Sequence, residues 1–363
     1  MSAIIRTFAP YSKQKQIKII KVFRKTVFAA LLMGAFSTAV AQESDNSAMR
    51  PSFSVEYTSE LQTDFEHSRM GNLLQLGAEV PLSGALSLNV STVSFAATSA
   101  APLANDLMGY SNIDADNIAL ALAVVGATWR VSDSHTVFAG IRSMDEDYFC
   151  SDVLSLFTNS PCGGFPTITA NFDMAAYPMA AIGLHYAYNR EDLTLQASLY
   201  NGAGHYRFAG RDNVFRVCPG SDGVFALAQM EYRVGDSHYY LGGSAHHSDM
   251  NSTADKKLRP VAWAYAEQSL TERLTLIGAY SHAFSSDNAC RDFFAIGGKL
   301  TIGKAELGLF ADHTKIDGIS EWATELTCNY ALTDHLSLQP VLHIIDTDSH
   351  AKCIGMLRLG VSL

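Results

Sequence analysis

From residue 53 onward the chain is built of stretches, each about ten residues long, in which apolar side chains alternate with small or polar ones. Leu86, Leu88 and Val90 alternate with Ser87, Asn89 and Ser91. Leu193, Leu195, Ala197 and Leu199 alternate with Thr194, Gln196, Ser198 and Tyr200, and Leu336, Leu338, Leu342 and Ile344 with Ser337, Gln339 and His343. A period of two belongs to a strand with one apolar and one wet face. No stretch shows helical spacing with caps. Seven connections are tight (81–85, 132–134, 189–192, 235–237, 271–273, 303–304 and 333–335), and those alternating with them are mostly longer and rich in Asp, Asn, Gly and Cys. Short turns at one rim and long loops at the other mark an outer-membrane barrel. With both termini on the short-turn side, seven turns join sixteen strands, enough for a water-filled lumen. The expected fold is all-β: a transmembrane antiparallel barrel of about sixteen strands, the first near 53–60 and the last at 351–363.

A soluble sandwich or periplasmic barrel has the same period with its apolar face turned inward. Aromatic placement favours the membrane barrel, because Tyr186, Tyr188, Tyr232, Tyr239, Trp263, Tyr265 and Trp322 fall near strand ends, where interfacial girdles sit. An open lumen is expected from small residues at positions read as inward: Ala119, Ala121, Ala123, Gly140, Ala181, Gly183, Ala262, Ala264 and Ala266.

Charge is split along the chain. Residues 1–41 hold seven basic side chains and no acid, leaving 19 basic against 36 acidic beyond them, a net of −17. That sign excludes a nucleic-acid binder, which must meet phosphates. Arg24-Lys25, the apolar stretch from Val27 to Phe36 and the small residues ending at Ala41 form the three regions of a secretory signal. The expected organisation is a signal peptide over 1–41 cleaved near Ala41, a short periplasmic segment over 42–52 and the barrel over 53–363, placed in the outer membrane of a Gram-negative bacterium.

Among the long connections, residues 144–177 stand out as the third on their rim, and a loop of that length in a compact barrel is usually functional. Here the chain resembles the carbohydrate-selective porins (the OprB-like family). The likeness runs through Gly109-Tyr-Ser-Asn-Ile-Asp-Ala-Asp-Asn117, Phe138-Ala-Gly-Ile141, Asp145 to Phe149, Leu156-Phe-Thr-Asn-Ser160 and Tyr177-Pro-Met-Ala-Ala-Ile-Gly183, and is clearest over 105–235. The resemblance implies a sixteen-stranded barrel that passes glucose-type sugars by facilitated diffusion, its third loop folded inward as a constriction. The expected partners are small carbohydrates, outer-membrane lipid and lipopolysaccharide, and the barrel-assembly machinery during biogenesis; a homotrimer is one assembly open to such a barrel, and the sequence does not name the oligomeric state. The chain departs from the usual terminal Phe, ending in Leu363, although Leu357, Leu359, Val361 and Leu363 still form one apolar face.

Strand parity points Arg142, Glu231, Arg233, Lys299, Glu306, Glu325 and Arg358 into the lumen, with Gln75, Gln196, Gln229, Gln339, His185 and Tyr200. Charged and amide groups can replace a sugar's hydration shell with paired hydrogen bonds. Tyr148, Phe149 and Phe157 are expected to supply the stacking face, and Asp145, Glu146 and Asp147 an acidic eyelet. The alternative functions are a general or weakly cation-preferring diffusion porin and, from another class, a surface enzyme or adhesin built on a barrel. No H-E-x-x-H, C-x-x-C or G-x-S-x-G occurs, so no catalytic residue, metal or cofactor is expected. In an oxidising compartment a Cys150–Cys162 bridge is expected within the long loop, and Cys218 with Cys290 is a second candidate pair. Cys328 and Cys353 are expected to be free on the lipid face.

Overall fold

The computed structural model describes residues 50–247 and 258–363, so the expected leader over 1–41 and most of 42–52 lie outside the described residues. Sixteen strands follow one another around a ring. The first eight are β1 (Ser52–Thr63), β2 (Ser68–Pro81), β3 (Leu86–Ala97), β4 (Ile118–Arg130), β5 (His135–Arg142), β6 (Ala181–Arg190), β7 (Leu193–Asn201) and β8 (Val224–Val234). The rest are β9 (Ser237–His247), β10 (Leu258–Thr271), β11 (Leu274–Ala283), β12 (Cys290–Ile302), β13 (Ala305–Ile316), β14 (Ile319–Thr333), β15 (Leu336–Thr347) and β16 (Ala351–Ser362). Every strand pairs antiparallel with its sequence neighbours, and β1 also pairs with β16, from Glu56 opposite Ser362 to Thr63 opposite Gly355, which closes the barrel. Closure leaves no strand edge unpaired, as spanning a bilayer requires. The seven tight turns fall where the pattern places them. On the other rim the connections are uneven: 98–117 (L2), 143–180 (L3) and 202–223 (L4) are long, whereas 317–318 and 348–350 are as short as turns.

The outer surface settles which face is apolar. Leu184, Leu241, Ile296, Leu309 and Leu326 are each more than half exposed, while the neighbours of opposite parity, His185, Phe310 and Glu325, are buried. A continuous apolar belt facing outward is the reverse of a soluble barrel. Tyr186, Tyr232, Tyr239 and Trp322 lie on it as expected. Among the described residues no helix is long and apolar enough to cross a membrane.

One strand reverses the expectation. On β10, Trp263 and Tyr265 are buried and point inward, with Val261 and Glu267, whereas Ala262, Ala264 and Ala266 turn to the outer surface. The pattern of β10 is aromatic against alanine, and hydrophobicity alone cannot rank those two faces; what decides is that L3 lies on the inner one. Large inward residues recur beneath L3 as Phe225, Phe293 and Phe310. The lumen is therefore partly filled by its own loops rather than uniformly open.

Candidate functional site: the loop-lined lumen

L3 is tied at its neck, where Met144 N–H donates to Ala175 O (2.8 Å) and Tyr177 N–H to Asp145 Oδ1 (3.0 Å). From that neck the loop folds into the barrel and spreads over the wall. Phe149 packs on Trp263 (5.3 Å between ring centroids), Phe165 on Phe293 (4.9 Å) and Phe157 on Phe310 (4.8 Å). Two glycines make room for this packing. A Cβ at Gly308 would stand 2.7 Å from the Phe157 ring, and one at Gly242 would stand 2.3 Å from the Trp263 indole. Tyr148, Phe149 and Phe157 are consequently buried anchors, and the expectation that they offer a solute a stacking face is corrected. Apolar rings leave water most completely when a matching wall is available, and β8–β13 supply one.

Wall acids hold the loop backbone. The Glu325 carboxylate accepts hydrogen bonds from Thr158 N–H (2.9 Å), Asn159 N–H (3.1 Å) and Thr158 Oγ1 (3.2 Å). Glu267 accepts from Val153 N–H (2.8 Å), and the Gln339 amide donates to Leu156 O (2.7 Å). Glu325 is only 1% exposed, so it faces the lumen axis but touches loop rather than solute, which corrects its place among the solute contacts. Tyr200, 2% exposed, is likewise covered.

L2 also folds inward, which the sequence reading missed. Arg69 forms a bidentate pair with Asp114 (2.8 and 2.6 Å), Tyr110 donates to Gln62 (2.9 Å) and Ser111 to Glu60 (2.7 Å). Glu60, Gln62 and Arg69 are all buried at strand positions whose parity points inward. The signal in the sequence is the run of Tyr, Ser, Asn and Asp from Gly109 to Asn117, which carries part of the family likeness.

The remaining charged groups come together in pairs. Arg142 donates to both oxygens of Asp147 (2.6 and 2.5 Å) and lies over the Phe138 ring (4.9 Å). His185 stands 3.4 Å from Asp147, and Gln196 donates to Asp147 O (2.8 Å). Arg358 donates to Glu60 (2.5 and 2.9 Å) and to Asn112 of L2 (2.6 Å). Lys299 pairs with Asp152 of L3 and with Glu306 (3.6 Å). Glu231 pairs with Arg233 (3.5 Å) and His238 (2.7 Å) beside Tyr240. Of the three expected eyelet acids, Asp147 is spent on Arg142 and Asp145 on the loop neck, where Ser143 also donates to it. Of the three, only Glu146 is an exposed residue. Partial burial in the folded loop, followed by repulsion from Asp145, pushes its pKa up to about 7.

No cysteine is bridged. Cys150 donates to Asp145 O and Tyr148 O at the start of L3, whereas Cys162 is buried at the far side of the loop, close to Glu325 and Asp312. Cys150 is exposed and Cys162 buried, and the two sulfurs are not joined. Cys218 lies against Ser221 in L4, and Cys290 is buried against Thr314 of β13; both expected pairs are corrected to free thiols. Among the described residues no group of His, Cys, Asp and Glu could hold a metal ion.

No family model matches the chain, and no curated protein matches it. Among solved structures it is similar to Pseudomonas putida OprB at high pH, with 14% identity over 86% of this chain and 94% of that one and a TM-score of 0.72. It is also similar to a loop-deleted OmpT, an outer membrane protein of Vibrio cholerae (11% identity, 87% and 100% covered, TM-score 0.59). An anion-selective porin from Comamonas acidovorans gives 11% identity, 86% and 100% coverage and a TM-score of 0.57. At these identities the likeness is one of fold: the chain has the barrel architecture of bacterial outer-membrane porins, OprB among them, in agreement with the resemblance read from the sequence.

Proposed function

We propose that the protein is an outer-membrane porin that passes small neutral polyols, carbohydrates foremost, by facilitated diffusion. The observation that carries this reading is the pairing of lumen charges. Arg142 with Asp147, Lys299 with Asp152 and Glu306, and Arg233 with Glu231 each place donors beside acceptors. A neutral polyol can use both halves of such a pair, whereas a small ion is attracted by one and repelled by the other. An anion channel needs an unopposed basic ladder, and the lumen positions supply none among the described residues. Between the loops and the short-turn rim the wall is small and polar, with Glu56, Gln75, Asn89, Ser91 and Thr128 at inward positions. That composition suits a wet path.

The second reading, a weakly cation-preferring general pore, is favoured by Glu146, Glu56 and Glu79, exposed acids at lumen positions that form no ion pair among the described residues. Liposome swelling with glucose, sucrose and an amino acid of similar size separates the two. The sugar reading expects glucose to enter faster than the size-matched amino acid. Equal rates ordered only by size would leave the general pore.

A further inference from the structure

L2 and L3 do not lie side by side as independent loops. Ser160 N–H of L3 donates to Gly109 O of L2 (2.8 Å), and Asn112 N–H of L2 donates to Thr158 O of L3 (2.6 Å). The Asn112 amide also donates to Phe157 O (3.4 Å). The seam rests against one strand. On β14, Glu321 and Glu325 lie four residues apart on the inward face, and each is 1% exposed. Glu321 accepts from Leu107 N–H (2.6 Å) and Met108 N–H (3.1 Å) of L2, while Glu325 accepts from Thr158 and Asn159 of L3.

Their chemistry is unusual for a purely structural anchor. Burying a carboxylate is unfavourable unless its charge is met. Neither acid has a Lys or Arg within ion-pair distance among the described residues; the ion-pair neighbour of Glu325 is His343 at 4.0 Å. Loop N–H groups therefore meet the charge. A carboxylate accepts on two oxygens at once and makes stronger bonds to N–H than a neutral amide does. Neighbouring strands reinforce the hold: Asn159 donates to Asp312 of β13 (2.7 Å), and His343 of β15 lies 3.0 Å from Thr158 Oγ1.

We propose that Glu321 and Glu325 are positioning residues that clamp L2 and L3 to β14 as a single plug, and so set the size limit for solutes. The size-limit part rests on the porin reading; the clamp does not. In E325Q one acceptor oxygen replaces two, and the new NH2 faces loop N–H donors. Loss of charge-assisted bonds of ordinary strength shifts the seated-to-released balance of the loop by about ten-fold or more.

The test uses the full chain refolded into detergent and into liposomes, with E321Q, E325Q and the double variant. Heat-modifiable electrophoretic mobility verifies that each barrel is closed. Amide hydrogen exchange is the first readout. The Glu321 carboxylate accepts from L2 N–H groups, yet E321Q should speed exchange at Thr158 and Ser160 of L3 by about ten-fold, because the loops move together. Exchange confined to L2 would overturn the single plug. The second readout is swelling with a glucose, maltose and maltotriose series. The single variants should admit the larger sugars, and the double variant should exceed either by less than the product of the two. Unchanged limits in folded variants of a permeable barrel would overturn the size-limit role. A wild-type barrel closed to every solute would refute the porin reading, with the exchange experiment still deciding the clamp. Should E325Q fail to fold, E321Q reads the same coupling.

Discussion

The wall beneath L3 and the short-turn half of β1–β4 obey one rule of alternation and end in opposite chemistry. Under the loop, inward positions hold Trp263, Tyr265, Phe293 and Phe310, with carboxylates that accept hydrogen bonds from loop N–H groups. On β1–β4 the inward positions hold Glu56, Gln75, Asn89, Ser91 and Thr128. The period of two says that a residue faces the lumen; whether it then meets water or a folded loop depends on what lies across from it. An inward acid can serve as a solute contact in one region and as a backbone anchor in the other.

The largest effect expected from this contrast is on stability. Trp263→Ala removes an indole that is 2% exposed, packs on Phe149 and donates to Gln229 (3.0 Å). The loss should be about 3–5 kcal/mol, read as a lowered urea midpoint in micelles by circular dichroism. Thr58→Ala on the bare wall should change stability by less than about 0.5 kcal/mol. Equal losses would erase the distinction between the two walls.

A smaller effect is expected where loop and wall meet through charge. Asp147→Asn leaves Arg142 without its bidentate partner. The cation-to-anion permeability ratio, taken from reversal potentials, should fall by a few-fold at most, because a wet pore keeps the dielectric high and salt screens the charge. A ratio unchanged by Asp147→Asn would place Arg142 away from the ion path.

The smallest effect concerns Glu146. With its pKa pushed up to about 7, the side chain is ionised above that pH and neutral below it. Any cation preference it supplies is therefore present at alkaline pH and fades as pH falls through about 7. Glu146→Gln should remove that pH dependence and leave glucose flux nearly unchanged. A pH profile identical in the variant would assign the preference to another group, Glu56 being the nearest candidate.

The sequence by itself determined the barrel. Alternation along β3, β7 and β15, the seven tight turns and the apolar face of β16 specify strand number and closure, because the side-chain period is local and a turn needs only its own residues. It also located the long third loop and the inward charges Arg142, Glu231, Arg233, Lys299 and Arg358. What only the tertiary structure decided is what those inward groups meet. Cys150 and Cys162, with eleven residues between them, remain free thiols, one exposed and one buried, and Trp263 turns inward because L3 offers it an apolar partner. Glu325 is removed from solvent by the Thr158 and Asn159 N–H groups, 167 and 166 residues earlier in the chain. Alternation fixes direction through local sterics, whereas occupancy of the lumen is a long-range contact between a loop and strands that no local pattern encodes.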